Sequence, residues 1–425
     1  MAQHDYTISD ASGLAVLADL NNALAAIATG NSGNAAPSVT YPYMEWNDTL
    51  NELRKIRNGA NTAWITIGAL GAANLGLAPL AGATFTGPVV LPTGSTVAGY
   101  AALAGATFTG PVAVPSLNGG PLAGFRNIVI NGNFDIWQAG TTFTGNDYGA
   151  DQWIHGRVGT THTVTRQQFT LGQTDVPGEP EFFCRTVVSS VGGASNYSHL
   201  QQRIEDVRTY AGQQATVSFK AKANTTKNIA IEVAQHFGTG GSPSADVTGI
   251  GVSKVSIGTS WQYVTATITV PSISGKTLGT DGSDSLRLTI WFDAGSSFNS
   301  RTSTLGQQSG TFDISEVQIE PGSVATLFEQ RPIGVELALC QRYYWTRDTV
   351  EYVSYQSAGS GFRQHIGFPV SMRTAPNISF TNTSYLNANS VAAGSVTPNG
   401  FNYGAACTTA GVVQVISSIA ASARL

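Results

Sequence analysis

Charged side chains are scarce in this sequence: Asp, Glu, Lys and Arg make up 11 % of the 425 residues, against about a quarter in an ordinary soluble domain. The 22 basic and 26 acidic residues nearly cancel, leaving a net charge of -4. Without a basic excess the chain lacks the electrostatic footprint that holds a nucleic-acid backbone or an anionic membrane surface, and neither partner is expected. Cysteine is scarcer still. Cys184, Cys340 and Cys407 are odd in number and far apart, which excludes a disulfide framework and a paired-cysteine metal site and leaves three small buried hydrophobes. The leading stretch MAQHDYTISDASG has neither the basic nor the apolar region of a secretory signal. Sequons such as Asn196-Tyr197-Ser198 therefore read as chance.

Long hydrophobic runs are also missing. No charged residue stands between Asn58 and Phe125, and Ile65 to Leu80 is strongly apolar. Gly68, Gly71, Asn74, Gly76 and Pro79 nevertheless break that stretch short of the roughly 20 apolar residues that span a bilayer. Membrane insertion is not expected.

What the chain has is glycine, 48 residues of it, beside 42 % hydrophobics. That combination describes turn-rich β-structure rather than disorder. LAGATFTGPV occurs twice, starting at Leu80 and Leu103. One such ribbon can neither bury its own apolar side chains nor pair its own edges, whereas several identical ribbons wound together can do both. The absence of charge fits, because a residue near a symmetry axis meets its own copy and like charges there repel. The expected contacts between copies are Phe85, Val89, Phe108 and Val112.

Ahead of the repeat, Leu14, Leu17, Leu20, Leu24 and Ile27 recur three or four apart and predict a helix over Ser12 to Thr29, ended by Gly30. Asn58-Gly59 separates the runs Leu53 to Arg57 and Trp64 to Ile67, which predicts a β-hairpin and a small α/β unit over residues 1–68. Residues 69–125 form the repetitive segment. From Arg126 the texture changes to β-branched and aromatic runs between turn signals: FRNIVING, THTVTRQQF, FFCRTVVSSV, QQATVSFKAKA, NIAIEVAQHF, WQYVTATITV, LRLTIWFDA and GTFDISEVQIEPG. That spacing predicts an antiparallel β-sandwich over 126–332. IGVELALCQRYY then predicts one short helix, and VEYVSYQ, FRQHIGFPV, NISFTNTS and VVQVISSIA predict a smaller β-domain over 333–425. The fold class expected is mostly β.

NGNFDIWQAGTTF with YGADQWIHGR, and later FEQRPIGVELALCQRYYW with FPVSMRTAPNISF, resemble the distal part of tailed-bacteriophage tail fibres, or receptor-binding proteins. The N-terminal helix followed by NELRKIRNGANTAWITIG resembles their virion-attachment end. LAGATFTGPV is similar to the short repeat of fibre shafts, with Ala83 and Phe85 where relatives commonly carry Gly and Met. The resemblance implies a homotrimeric adhesin located in the virion tail. Its N-terminus would be held by a tail or baseplate protein and its C-terminal domains would meet a host-surface glycan. The sandwich resembles jelly-roll carbohydrate-binding modules. In these, carboxylates on the first and last strands often hold a structural calcium, which brings in Asp135 and Asp313, with Glu316 beside the latter. The alternative is that Asp135 fixes a turn. No other cofactor is expected.

Catalytic motifs do not stand out. Gly275-Lys276-Thr277 lacks the earlier glycine and the following helix of a phosphate loop and reads as a loop lysine. The six histidines never fall at metal-ligand spacing. No nucleophile elbow is present, and no cysteine stands in a nucleophile setting. A glycosidase pair among Asp147, Asp151, Glu179, Glu181, Glu205, Asp206 and Asp293 stays open on sequence alone, and with it the alternative of a fibre-borne glycan-degrading enzyme. A purely structural fibre is the other alternative. The expectation is an adhesin without turnover. Trp137, Trp153, Trp261 and Trp291 belong to alternating patterns and are expected in the core for the most part. The receptor-binding candidates are at the tip, where aromatics crowd with arginine: Tyr352, Tyr355, Phe362, Arg363 and Tyr403.

The uncharged repeat generates a prediction about assembly. Light scattering coupled to size exclusion is expected to return a trimeric mass, and Phe85→Asp or Phe108→Asp to lower it by setting three like charges around one axis.

Overall fold

The computed structural model describes residues 3–71 and 124–425, which belong to two separate units. The repeat, with Phe85, Val89, Phe108 and Val112, lies outside the described residues.

The first unit contains the helix α1 (Gly13–Ala28) and the antiparallel meander β1 (Glu45–Asp48), β2 (Leu53–Arg57) and β3 (Trp64–Ala69). The Asn58 carboxamide oxygen accepts the backbone N–H groups of Thr62 and Ala63, at 2.8 and 3.2 Å, and so closes the hairpin between β2 and β3. Lys55 and Asn51 both bind the buried carboxylate of Asp48, holding it down to about 2. The helix forms where the leucine periodicity puts it, but its inward face is Ala23 and Ala26. The whole stripe from Leu14 to Ile27 is at least 45 % exposed.

The second unit opens on β4 (Thr142–Phe143), β5 (Asp147–Tyr148), β6 (Trp153–Val158), β7 (Thr161–Gln168) and β8 (Phe182–Ser189). It continues through β9 (Tyr197–Glu205), β10 (Gln214–Ala223), β11 (Lys227–His236), β12 (Val247–Ile257) and β13 (Gln262–Thr269). β14 (Ser285–Ala294), the one-turn α2 (Asn299–Thr302) and β15 (Gly310–Pro321) complete a two-sheet structure. Its sheets have the orders β13-β10-β15-β8-β7-β4 and β12-β11-β14-β9-β6-β5, antiparallel throughout. Alternate residues meet between the sheets: Val217 and Phe219 of β10, Phe312 and Ile314 of β15, Ile229 and Ile231 of β11, Leu288 and Ile290 of β14. The chain is mostly β, as its composition predicts.

FRNIVING departs from expectation. It is not a strand but an irregular thread, and its backbone is satisfied by side chains. The Asn127 carboxamide oxygen accepts the amides of Val129 and Ile319, at 3.0 and 3.1 Å. Gln202 both accepts from and donates to Ile130, at 2.8 and 2.7 Å. Asn131 bonds the backbone of Ile136 and Asp151. The Glu329 carboxylate takes the amides of Phe125 and Asn127, and Glu336 takes that of Asn131. Asparagine and glutamine side chains here replace the ladder partners of a strand.

α3 (Ile333–Gln341) leads to the C-terminal lobe, built from β16 (Tyr344–Gln356), β17 (Gly361–Gly367), β18 (Asn377–Leu386), β19 (Ala388–Thr397), β20 (Gly400–Cys407) and β21 (Gly411–Ser422). Two three-stranded sheets, β16-β21-β18 and β17-β20-β19, enclose its core. The lobe is tied to the sandwich at both ends. After α3, Arg342 grips Glu205 with two bonds of 2.8 and 3.0 Å, and the Tyr343 hydroxyl adds a third of 2.8 Å. Beyond β21, Tyr148 and Arg203 each donate to the Leu425 carbonyl at 2.6 Å, and the Arg424 guanidinium lies 3.7 Å from the Tyr344 ring.

In the sandwich His155 and His162 are buried, and His199 is half-buried against Trp291. Neither ring nitrogen of His155 has a hydrogen-bond partner among the described residues. Gly149 and Gly156 leave room for the rings: a Cβ on either would come within 2.3 Å of an imidazole Nε2. Burial pushes His155 and His199 down to about 3, below the value near 6.5 of the unfolded chain. Unfolding therefore takes up protons once the pH falls below about 6.5, and stability declines from there toward pH 3, by up to about 1.4 kcal/mol per pH unit for each histidine. His155→Leu is expected to flatten the dependence of unfolding free energy on pH between 6 and 4, measured by urea denaturation. An unchanged slope would contradict the assignment.

Candidate functional site

The outer face of the β13-β10-β15-β8 sheet is polar and largely roofed. Thr216, Ser218, Ser315, Gln318 and Glu320 lie on strands of this sheet and are buried. Residues 322–331 cross it as a strap: the Thr326 hydroxyl and amide bond Glu320 at 2.8 and 2.7 Å, the Tyr263 hydroxyl donates to the Thr326 carbonyl at 3.1 Å, and the Glu329 amide donates to Gln318 at 2.8 Å. The loop carrying Pro177 and Gly178 approaches from the other side. Between them opens a cleft of about 510 Å³, with Tyr263, Leu327 and Phe328 among its lining and Lys220 and Glu316 as its only charged groups among the described residues.

Glu316 reaches the cleft through a bulge. β10 and β15 pair Ser218 with Gln318 but Lys220 with Ser315, so Glu316 and Val317 together oppose Phe219. Strict alternation would turn Glu316 toward the core after Ser315. The extra residue and a left-handed backbone, φ +53°, accompany its place in the cleft. Bulges redirect side chains in this way, at a cost of about 1–2 kcal/mol for a non-glycine residue at positive φ. Burial raises the Glu316 carboxyl to about 7, only partly opposed by the charge of Lys220. The Lys220 ammonium lies 4.7 Å from the centre of the Tyr263 ring.

Farther along the same sheet Lys222 stands 5.0 Å from the ring of Trp261, which packs with Phe169 and Phe183. Asp313 belongs to this cluster. Its two oxygens accept from Arg185 at 2.7 and 2.8 Å, with Lys222 3.9 Å away. It is therefore an ion-pair residue, which corrects the calcium expectation at this position. Asp135 is on no strand. It sits in the irregular thread, accepts from Asn133 at 3.3 Å and is raised to about 6, chiefly by burial. Among the described residues no three His, Cys, Asp or Glu side chains converge to hold a metal.

The tip candidates divide. Phe362 and Tyr403 are core residues, 4 % and 0 % exposed, and Tyr403 bonds Ser417 inside the lobe. Their expected role in contacting a receptor is corrected accordingly. Tyr352 stacks on Phe362, ring centres 3.6 Å apart. Tyr355 is 79 % exposed, and Arg363 is exposed beside a concavity of about 750 Å³ on the β17-β20-β19 sheet. Trp137, Trp153 and Trp291 are buried, while Trp261 is half-buried. Lys276 lies in a turn with its ammonium 5.5 Å from the Phe237 ring, and no helix follows it.

No family model matches the chain, and no curated protein is similar to it. Solved structures show remote likeness. The enzymatically active domain of tailspike protein 4 of bacteriophage CBA120 matches 48 % of this chain at 16 % identity and a TM-score of 0.29, and the match spans 22 % of that domain. A family 11 carbohydrate-binding module of Clostridium thermocellum, in complex with a mixed-linked tetrasaccharide, matches 44 % of this chain and 99 % of its own length, at 12 % identity and a TM-score of 0.27. A xylan-binding domain of Paenibacillus barcinonensis matches 47 % and 96 %, at 10 % identity and a TM-score of 0.27. At this distance the function has to be read from the chain itself.

If the bulge strain serves the cleft rather than the fold, relieving it should help stability. Glu316→Gly is expected to raise the unfolding free energy by about 0.5–1 kcal/mol, because glycine adopts positive φ freely. Glu316→Ala retains the strain and should not show this gain. Urea denaturation of both variants checks it.

Proposed function

We propose that the chain is a tail-fibre adhesin of a bacteriophage, a homotrimer that attaches the virion to a glycan on the host surface and does not turn it over. The observation that carries this reading is the sandwich cleft. An apolar wall with an aromatic ring, over Lys220 and Glu316, which have no ion-pair or side-chain hydrogen-bond partner among the described residues, suits a sugar, which offers one apolar face and a rim of hydroxyls. Binding without hydrolysis is supported by the carboxylate count. Glycosidases flank the bond with two carboxyl groups, and among the described residues Glu316 is the only one lining this cleft.

The order of the sequence motifs supports the virion location, with the N-terminal unit held by a tail or baseplate protein. The exposed leucine stripe of α1 supports a unit whose apolar surface is completed by other chains. Tyr355 and Arg363 are the tip groups available for a second contact. A single sugar site is weak, and three copies on one fibre raise the effective affinity by roughly 10² to 10⁴.

Adsorption of the fibre to host cells tests the reading. Tyr263→Ala is expected to weaken binding at each site about tenfold, within the range of one aromatic contact, and adsorption by more through the trimer. Tyr355→Ala should have the smaller effect. Unchanged adsorption by folded, trimeric Tyr263→Ala fibre would remove the cleft from the mechanism.

A further inference from the structure

The floor of the sandwich cleft holds two opposite charges that do not meet. Lys220 rises from β10 and Glu316 from the bulge of β15, near enough for the ammonium to act on the carboxyl. Yet neither forms an ion pair or a side-chain hydrogen bond with any described residue, and the ammonium lies against the Tyr263 ring instead. Both line the same cleft, and these two neighbours set the chemistry of a group bound there. An amino sugar would face the Lys220 charge. A neutral sugar would leave the ammonium no counter-ion besides the partly protonated Glu316 carboxyl. A carboxylate would meet the ammonium on one side and, where Glu316 is protonated, an O–H donor on the other.

We propose that the cleft selects an acidic saccharide, a pyranose bearing a carboxylate, held between Lys220 and Glu316 with its apolar face against Tyr263. The proposal rests on the glycan-binding reading above and narrows it to a ligand class. Other charges are already engaged. Glu179, beside Gly178, accepts the Gly172 amide at 3.1 Å. Glu320 is bound by Arg126 and Thr326, Glu329 by the amides of Phe125 and Asn127, and Asp313 by Arg185. On the elements packed against Glu316 this leaves Lys220 of β10 and the Tyr263 phenol of β13 facing the cleft.

The arrangement couples binding to a proton. A bound carboxylate favours the protonated form of Glu316, which is near half-populated at neutral pH because burial raises the group to about 7. Affinity is therefore highest below pH 7, and above it falls by up to about tenfold per pH unit as the proton must be supplied from solution.

Calorimetric titration of the full-length protein between pH 6 and 8.5 tests this. The probes are oligogalacturonate, hyaluronan tetrasaccharide and sialyllactose, each beside its neutral methyl ester. The expected result is that at least one acid binds at pH 6 ten or more times as tightly as its ester. Lys220→Gln should abolish that preference, and Glu316→Gln, which donates a hydrogen bond at every pH, should remove the pH dependence. Esters binding as well as the acids, an acid preference that survives Lys220→Gln, an unaltered pH profile in Glu316→Gln, or no binding by any of the three acids would each overturn the proposal. Failure of the underlying reading registers separately, as undiminished cell adsorption by Tyr263→Ala fibre.

Discussion

The arrangement of the second unit depends on how the thread from Phe125 to Ile136 satisfies its backbone. An irregular segment inside a β-structure has no ladder, and each unpaired buried amide would cost about 1–3 kcal/mol. Here the partners are side chains: Asn127 and Asn131 within the thread, Gln202 from β9, and Glu329 and Glu336 from the approach to α3. Arg331 closes the group, bonding Glu336 and the carbonyls of Asn127 and Val129. Two sequence patches about two hundred residues apart are thereby one structural device, and the strap across the outer sheet face is anchored by it.

The cleft follows from that anchoring. Because Glu329 is fixed to the thread and Thr326 to Glu320, the intervening Leu327 and Phe328 are held over the sheet rather than folded into it. The sheet face beneath keeps its polar side chains, since the strap supplies hydrogen-bond partners for Gln318 and Glu320. Beside the strap, the bulge delivers a carboxyl that has no such partner among the described residues. Structural need accounts for most of this surface, and Glu316 with Lys220 is what it leaves over.

The strands were legible in sequence because alternation of apolar residues is a local signal; seven of the eight runs assigned to the sandwich correspond to β7, β8, β10, β11, β13, β14 and β15. β4, β5, β6, β9 and β12 escaped, β9 through its run of His, Gln and Arg and β12 through its glycines and serines. The thread misled because NIVI has strand-like residues, while its actual partners are remote side chains that no local pattern reveals. The bulge did leave a trace: after Phe312 and Ile314 the next buried apolar residue is Val317, a step of three where two is the period. The burial of Tyr403 was likewise written in the alternation of Phe401, Tyr403, Ala405 and Cys407 along β20. Crowding of aromatics in sequence does not distinguish a surface from the two inner faces of a small sandwich.

The double tether of the C-terminal lobe bears on how such a molecule handles force. A lobe joined by one linker swings when pulled and transmits little load until the linker is taut. Here α3 with Arg342 forms one anchor and the Arg424–Leu425 end forms another, and β21, which runs into the second, is the central strand of its sheet. A pull on the lobe is then shared between two sets of charge-assisted hydrogen bonds loaded in parallel. Tension arriving at the far strands reaches the sandwich through both anchors at once.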